Sequence, residues 1–302
     1  MPQRMKIGIQ LPEVERFVGW PELIAMAQAA ERVGFDSLWL GDHLLYDLPG
    51  GITRGPWEVW TSLAALAAVT TTIELGPLVA STSFHAPTML AKQAATVDAI
   101  SGGRLIVGLG AGWNQREYSA FGFPYDQRVS RFEEAFTIIT TLLRDGRIDI
   151  RGRFYTAADC VIDPPPVRPG GPPIMIGSIA PRMLSIGLPH VDAWNMWWTQ
   201  FGNTAEGFEA IRVQVDQRAV DLGRLPGQVQ ATAAVMVQLA GGTGRVMGDQ
   251  RTAPPICGTD TEIADQLSGF ARSGADLIQL VVDPITLDSI ERLGSVLALV
   301  RR

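Results

Sequence analysis

Short apolar segments and longer amphipathic segments alternate along the whole chain, and this alternation constrains the fold more than any other feature. The longer segments repeat their apolar residues at helical spacing, and the short ones read as buried strands. The eight short segments span residues 6–10, 37–40, 73–79, 104–109, 173–176, 191–194, 228–239 and 276–282. The eight longer ones span residues 20–33, 58–69, 87–100, 131–143, 181–188, 205–222, 259–273 and 286–300.

Strict alternation of this kind predicts a parallel sheet with helices on its outside. With eight strands and eight helices, we expect an α/β fold of the (β/α)8 TIM-barrel type, with residues 1–302 forming one domain. A doubly wound open sheet with a second domain is the alternative. Three stretches interrupt the repeat: residues 44–56 and 241–256 as loops at the barrel mouth, and residues 146–172 as a hairpin insertion.

Charge and composition argue against several partners. The net charge is −6 and the isoelectric point is near 5.2, so the surface should not attract nucleic acid or an anionic membrane. No run approaches 18 apolar residues, which indicates no membrane span and a cytoplasmic protein. The two cysteines, Cys160 and Cys257, are 97 residues apart in the sequence, so neither belongs to a closely spaced pair. We therefore expect two buried free thiols and no metal site.

Active sites of such barrels lie where the strands end, so polar residues at those positions are the candidates for chemistry. Asp42 and His43 follow the second strand and are the strongest acid–base pair. Alternatively, Asp42 caps a turn and His43 is structural. His85 is expected to belong to a helix start and His190 to be structural.

Two glycine-containing turns also follow predicted strands. The run GLGAGW after the fourth strand reads GxGxG, which does not match the GxGxxG dinucleotide fingerprint. Its glycines could open a slot for a flat ring, or they could only relieve crowding in the barrel. Gly177 and Ser178 precede a helix whose free N–H groups could bind an anion, or they form a plain connection. Trp113, Trp197 and Trp198 are expected near the mouth, where they would suit a flat ligand, and Trp194 either joins them or packs inside.

Several segments resemble the bacterial-luciferase-like family of flavin monooxygenases and coenzyme F420-dependent oxidoreductases. The most specific stretch runs from residue 90 to 122, LAKQAATVDAISGGRLIVGLGAGWNQREYSAFG. Further matching segments are MKIGIQLP, GFDSLWLGDH, IELGPLVASTSFHAP, PPIMIG, DAWN and CGTDTEIADQL with GADLIQL. The resemblance covers nearly the whole chain and implies a TIM barrel with a cofactor ring across its mouth.

The resemblance also implies roles for individual residues. His43 matches a histidine beside the cofactor ring, with Asp42 as a cofactor contact, and a cis peptide bond is expected between Leu78 and Val79. The remaining expected cofactor contacts are Leu78, Val79, Ala80 and Ser81 behind the ring, Gly110, Ala111, Gly112, Trp113 and Asn114 along the cofactor side chain, and Gly177 and Ser178 at its phosphate.

The chemistry implied is hydride transfer between coenzyme F420 and a small organic substrate, with His43 moving the matching proton, in a homodimer. An FMN-dependent monooxygenase is the alternative within the family. A glycoside hydrolase and a non-catalytic cofactor-binding protein are the alternatives outside it. Trp113 stands where some deazaflavin dehydrogenases carry an acidic glutamate, which argues against that role here. Glu117 is the nearest carboxylate, and we expect it only to position the loop.

Overall fold

A computed structural model describes residues 4–243 and 253–302. Its strands are β1 (Lys6–Gln10), β2 (Ser37–Leu40), β3 (Tyr46–Leu48), β4 (Ile52–Arg54), β5 (Glu74–Pro77), β6 (Ala80–Ser81), β7 (Val107–Gly110), β8 (Arg147–Arg151), β9 (Thr156–Val161), β10 (Ile174–Gly177), β11 (Ala193–Trp197), β12 (Gln230–Gln238) and β13 (Leu277–Asp283). Its α-helices are α1 (Trp20–Val33), α2 (Val59–Val69), α3 (Pro87–Ser101), α4 (Gln115–Phe121), α5 (Arg128–Asp145), α6 (Pro181–Gly187), α7 (Ala205–Asp221), α8 (Asp260–Arg272) and α9 (Leu287–Val300).

The main sheet is parallel and closes on itself. Its strand order is β5-β2-β1-β13-β12-β11-β10-β7-β6. The first and last strands in that order are two pieces of one chain segment, interrupted only at Leu78 and Val79. A parallel bridge between Leu75 and Leu105 joins β5 to the chain just before β7. Counting the broken strand once gives eight barrel positions, so the predicted (β/α)8 barrel is confirmed.

Local sequence signals explain where several helices begin and end. Gly34 ends α1 in the left-handed conformation, with φ of 99°, and its N–H bonds back to the last turn. Thr259 and Glu262 form the capping box at the start of α8, as the sequence indicates. The barrel strands β1, β2 and β7 are buried along nearly their whole length, because the helices cover one face and the barrel interior fills the other.

Some predicted boundaries and elements differ from the structure. The short helix α4 was not expected, and β11 extends to Trp197, three residues beyond the predicted end. The insertion after α5 is a hairpin, as predicted, and it pairs β8 with β9 in antiparallel orientation. The loop over residues 44–56 contains a second hairpin, β3 with β4. Most of the predicted mouth loop 241–256 lies outside the described residues.

The two cysteines are free thiols, as predicted, but their predicted burial is wrong. Cys160 is partly buried and Cys257 is exposed. Cys160 lies on β9, a strand of the hairpin insertion most of whose residues are exposed. No helix within residues 4–243 and 253–302 is long and apolar enough to span a membrane.

Glu31 organises the amino-terminal end of the barrel, opposite the mouth. Its Oε1 accepts hydrogen bonds from the backbone N–H groups of Thr71, Thr72 and Ile73 at 2.5–3.0 Å, just before β5. Burial acts to raise the pKa of Glu31. The hydrogen bonds from these N–H groups and from the Thr72 hydroxyl outweigh burial and lower the pKa to about 2. The carboxylate form of Glu31 therefore stabilises the connection between α2 and β5.

The lowered pKa of Glu31 makes this stabilisation sensitive to acid. It is fully present above the usual glutamate value of 4.5 and is lost as the pH falls toward 2. We expect E31Q to reduce the free energy of unfolding by about 2 kcal/mol at neutral pH, and the difference from wild type to shrink steadily as the pH falls from 4.5 toward 2. Urea unfolding at several pH values measures this. D265N, at an exposed carboxylate, serves as the control and should shift stability little at any pH; a pH-independent E31Q effect would contradict the assignment.

Candidate active site

A cavity of about 630 Å³ lies at the carboxyl ends of the barrel strands, where such folds place their active sites. Most of the residues predicted for the site line it: Asp42, His43, Leu78, Val79, Ser81, Gly110, Ala111, Gly112, Trp113, Gly177 and Ser178. Residues that the sequence did not single out for the site contribute most of the remaining wall: Glu13, Tyr46, Phe84, Glu117, Arg128, Val129, Met183, Thr199 and Gln200.

Two predicted cofactor contacts lie off the cavity wall. Ala80 is fully buried in β6, where it joins the main hydrophobic core. Asn114 caps α4, because its side-chain oxygen accepts a hydrogen bond from the Arg116 N–H at 3.2 Å. Its side-chain amide also donates to the Leu45 carbonyl at 3.2 Å, so Asn114 joins the loop after β2 to α4.

Val79 forms an apolar part of the cavity wall and explains two of the predicted glycines. The peptide bond between Leu78 and Val79 is cis, as the resemblance implies. A Cβ atom at Gly110 would lie 2.8 Å from a Val79 methyl group, and one at Gly177 would lie 2.6 Å from it. Both distances are shorter than side-chain contacts allow. These glycines therefore make room for Val79 between the ends of β7 and β10.

This packing predicts a coupled effect of two substitutions. G177A should lower the free energy of unfolding by about 1–3 kcal/mol, because the new methyl group overlaps Val79. In V79A the space is vacant, so the double variant V79A/G177A should be more stable than the sum of the single effects predicts. Urea denaturation of the four proteins measures this coupling. G19A is the control substitution, because the nearest atom to a Cβ placed at Gly19 is 4.0 Å away. The effects of G19A and V79A on the free energy of unfolding should therefore be additive.

His43 is held at the cavity wall by the buried carboxylate of Glu117. The Nδ1 atom of His43 lies 3.0 Å from Oε2 and 3.2 Å from Oε1 of Glu117. The Glu117 side chain is 1% exposed, and it also accepts the Leu44 N–H at 2.5 Å. Because Nδ1 is engaged, the Nε2 atom is the ring nitrogen left for a ligand. Glu117 thus orients the imidazole, beyond the loop-positioning role expected from the sequence.

The same contacts favour the protonated form of His43. Burial acts to lower the pKa of His43, but the hydrogen bond to Glu117 and the negative charges of Glu13, Glu117 and Asp42 outweigh it and raise the pKa above its usual value. The pairing stabilises the folded protein while His43 is protonated. That stabilisation is complete below the usual value of 6.5 and is lost as the pH rises through the raised one.

Removing the negative charge of Glu117 should therefore lower the pKa of His43. In E117Q the hydrogen bond and the charge that oppose the effect of burial are lost, and we expect the pKa of His43 to fall. An NMR pH titration measures this directly, since the chain has only three histidines and H43N identifies the signal. E31Q is the matched control, because Glu31 also accepts several N–H bonds but lies at the other end of the barrel. An unchanged His43 pKa in E117Q would refute the pairing.

Asp42 makes a second histidine–carboxylate pair behind the cavity. Its Oδ2 lies 2.9 Å from Nε2 of His85 and accepts the Ser81 N–H at 2.8 Å. His85 was expected only to begin a helix, and its link to the site was missed. The available signal was that Asp42 and His85 follow strands that neighbour each other in the barrel. The pair ties the end of β2 to the chain that follows β6.

Aromatic side chains form much of the cavity rim. The Trp113 ring lies edge-on to the His43 ring, with 5.7 Å between the ring centroids. The centroid of the Tyr46 ring lies 4.6 Å from that of His43. Trp197 and Trp198 pack together at 4.2 Å and line the cavity, as predicted. Trp194 is fully buried and packs parallel to Phe208 of α7, so it belongs to the core.

Comparison with known proteins identifies the family. The luciferase-like monooxygenase family matches residues 5–243, which is most of the chain. The chain belongs to this family. The predicted resemblance to luciferase-like oxidoreductases is therefore confirmed at the level of the family.

The curated proteins that this chain resembles differ from one another in activity. The luciferase-like chain is 30% identical over 183 residues to 5,10-methylenetetrahydromethanopterin reductase of Archaeoglobus fulgidus, covering 60% of this chain and 50% of the relative. It is 33% identical over 172 residues to the pyrimidine monooxygenase RutA of Escherichia coli O8, covering 55% of this chain and 44% of the relative. The chain thus spans about half the length of the curated relatives it matches.

Solved structures with the same fold cover nearly all of the luciferase-like chain. An F420-dependent secondary alcohol dehydrogenase, in complex with an F420–acetone adduct, matches with a TM-score of 0.82 at 17% identity, over 99% of this chain and all of that one. An EDTA monooxygenase from Chelativorans matches with a TM-score of 0.78 at 18% identity, over 98% and 93% of the two chains. These likenesses show the barrel fold.

Proposed function

We propose that this protein is a coenzyme F420-dependent oxidoreductase that transfers hydride between the deazaflavin and a small organic substrate. The observation that carries the proposal is the His43–Glu117 pair at the cavity wall, with Nδ1 engaged and Nε2 left for a ligand. Family membership supports the reaction class. The segments that resemble the F420-dependent members favour the deazaflavin as cofactor, and FMN is the alternative.

The cavity residues fit a flat cofactor ring. A volume of about 630 Å³ is in the range that proteins use for small ligands. Val79 offers an apolar surface for one face of a ring, and Gly110 and Gly177 keep the wall beside it flat. Trp113 and Trp198 add aromatic surface at the rim. When bound, the deazaflavin supplies a ring carbon that accepts or delivers hydride.

The protein's own residues would orient the reactants and move the proton. His43, kept protonated by Glu117, would donate a proton through Nε2 to the substrate atom that hydride transfer makes basic. In the reverse direction the same nitrogen would accept that proton. Asp42, fixed by His85 and the Ser81 N–H, would accept a hydrogen bond from the cofactor through its other oxygen. The aromatic rim would exclude water from the reacting atoms.

A binding comparison tests the choice of cofactor. Purified protein should quench deazaflavin fluorescence with a dissociation constant in the micromolar range or below, and bind FMN at least about tenfold more weakly, a difference of about 1.4 kcal/mol. Tight FMN binding without deazaflavin binding would favour the monooxygenase alternative. Absence of binding to either would overturn the assignment to flavin-like chemistry.

The role of His43 predicts a loss of turnover without loss of binding. H43N should bind the deazaflavin nearly as well as wild type, while the rate of hydride transfer falls by about 10²–10⁴-fold, the usual contribution of a positioned acid or base. Enzyme-dependent change in deazaflavin absorbance, over a panel of alcohols, ketones and activated alkenes, measures the rate. H190N is the matched control, because His190 lies after α6 and packs near Phe136. Full activity in H43N would exclude His43 as the proton donor.

A further inference from the structure

Asn195 carries a side-chain oxygen that the fold leaves without a partner at the cavity wall. The residue lies on β11, is 4% exposed and lines the cavity. Its Nδ2 atom donates to Thr232 Oγ1 and to Gln279 Oε1, both at 2.8 Å, so both amide hydrogens are used. Within residues 4–243 and 253–302, its Oδ1 atom has no donor partner. This oxygen is therefore the part of the side chain that is left to bind a ligand in the cavity.

The residues beneath Asn195 fix which end of its amide faces the cavity. The Thr232 hydroxyl donates its hydrogen to the Trp194 carbonyl at 2.9 Å, so its oxygen accepts from Asn195. Gln279 is 0% exposed and turns its own oxygen toward Asn195, which leaves its Nε2 atom buried and without an acceptor in the described chain. Neither Thr232 nor Gln279 lines the cavity. Their arrangement carries the cost of one unpaired N–H, and it makes Asn195 present a hydrogen-bond acceptor to the cavity.

A second buried asparagine gives the contrast. Asn203 is also 4% exposed, but the backbone satisfies both ends of its amide. Its Nδ2 atom donates to the carbonyls of Met236 and Pro254, and its Oδ1 atom accepts the Met236 N–H, all at 2.9 Å. Asn203 does not line the cavity. Its contacts account fully for a buried amide there, whereas the contacts of Asn195 account for only one end.

Asn195 lies beside the apolar part of the cavity wall that Val79 forms. In the register of β10 with β11, Asn195 is the partner of Gly177, and paired residues on neighbouring strands are about 4.8 Å apart and point to the same face of the sheet. Val79 fills the space in front of Gly177, because a Cβ atom at Gly177 would lie 2.6 Å from a Val79 methyl group. A flat ring that rests on Val79 would therefore have an edge beside the Asn195 amide.

We propose that Asn195 Oδ1 accepts a hydrogen bond from a ring N–H of the bound cofactor, and that Thr232 and Gln279 are positioning residues for this amide. The inference rests on the proposed function. It holds for either cofactor, because deazaflavins and flavins both carry an imide N–H between two ring carbonyls. Asn195 then selects rings with a free imide N–H, since a substituted nitrogen would leave the buried oxygen unpaired.

Riboflavin and 3-methylriboflavin, which differ only at the imide nitrogen, test the proposal. Their dissociation constants are measured by fluorescence quenching. Wild type should bind riboflavin about tenfold or more tightly than 3-methylriboflavin, and in N195L the two constants should agree within about twofold. Q279M should give an intermediate ratio, because Asn195 then loses one of the two partners that orient it, although residue 279 lies off the cavity. A purely structural role of Gln279 would leave this ratio unchanged.

N203A is the matched control, because Asn203 is equally buried but is bonded within the protein. It should keep the wild-type ratio even if it lowers the melting temperature. If N195L does not fold, the double variant N195L/Q279M replaces both amides by apolar side chains, and it should show the same loss of preference. A ratio near one in wild type, or an unchanged ratio in N195L, would overturn the role of Asn195. An unchanged ratio in Q279M would overturn the role of Gln279.

Failure of the proposed function would look different from failure of this inference. If wild type binds neither of these flavins nor coenzyme F420, the flavin-like function fails. Succinimide and N-methylsuccinimide then test the acceptor alone, through the increase in melting temperature that each causes. A larger increase with succinimide that is present in wild type and absent in N195L would support the acceptor, and equal responses or none would overturn it.

Discussion

The buried carboxylate of Glu117 is the interaction on which the barrel mouth depends. It joins α4 to the loop after β2 through the Leu44 N–H and the His43 ring. A buried carboxylate is costly unless its oxygens are satisfied, and here each oxygen has a partner. One group thereby fixes the orientation of the imidazole, raises its pKa and positions the loop that carries Tyr46. Catalytic orientation and local folding rest on the same hydrogen bonds.

The barrel could be predicted from the sequence because its signal is repeated eight times. Each strand and helix is short and local, and the apolar periodicity identifies it without knowledge of its neighbours. The helix α4 was missed because its seven residues, QREYSAF, show no apolar face, and tertiary contacts through Glu117 and Tyr118 hold it in place. Boundaries such as the end of β11 shifted because pairing with β12 extends the strand through Trp197.

The site was only partly predictable, because its decisive contacts join distant residues. His43 and Glu117 are separated by 74 positions, and Asp42 and His85 by 43. Strand-end position found Asp42 and His43, but nothing local indicated which carboxylate would hold the imidazole. The glycines at 110 and 177 were recognised from the sequence, but the need for glycine there comes from the side chain of Val79, which a Cβ atom at either position would overlap. Only the closed barrel shows this packing.

The His43–Glu117 pair and the apolar side chain of Val79 line the same cavity, and together they make up a site that would orient a flat cofactor ring. The most direct test of this account is a crystal structure of the protein with coenzyme F420. The account predicts the deazaflavin ring against Val79, with His43 Nε2 within hydrogen-bonding reach of the substrate position beside the ring. A ring bound outside this cavity, or placed with His43 remote from its reactive face, would contradict it.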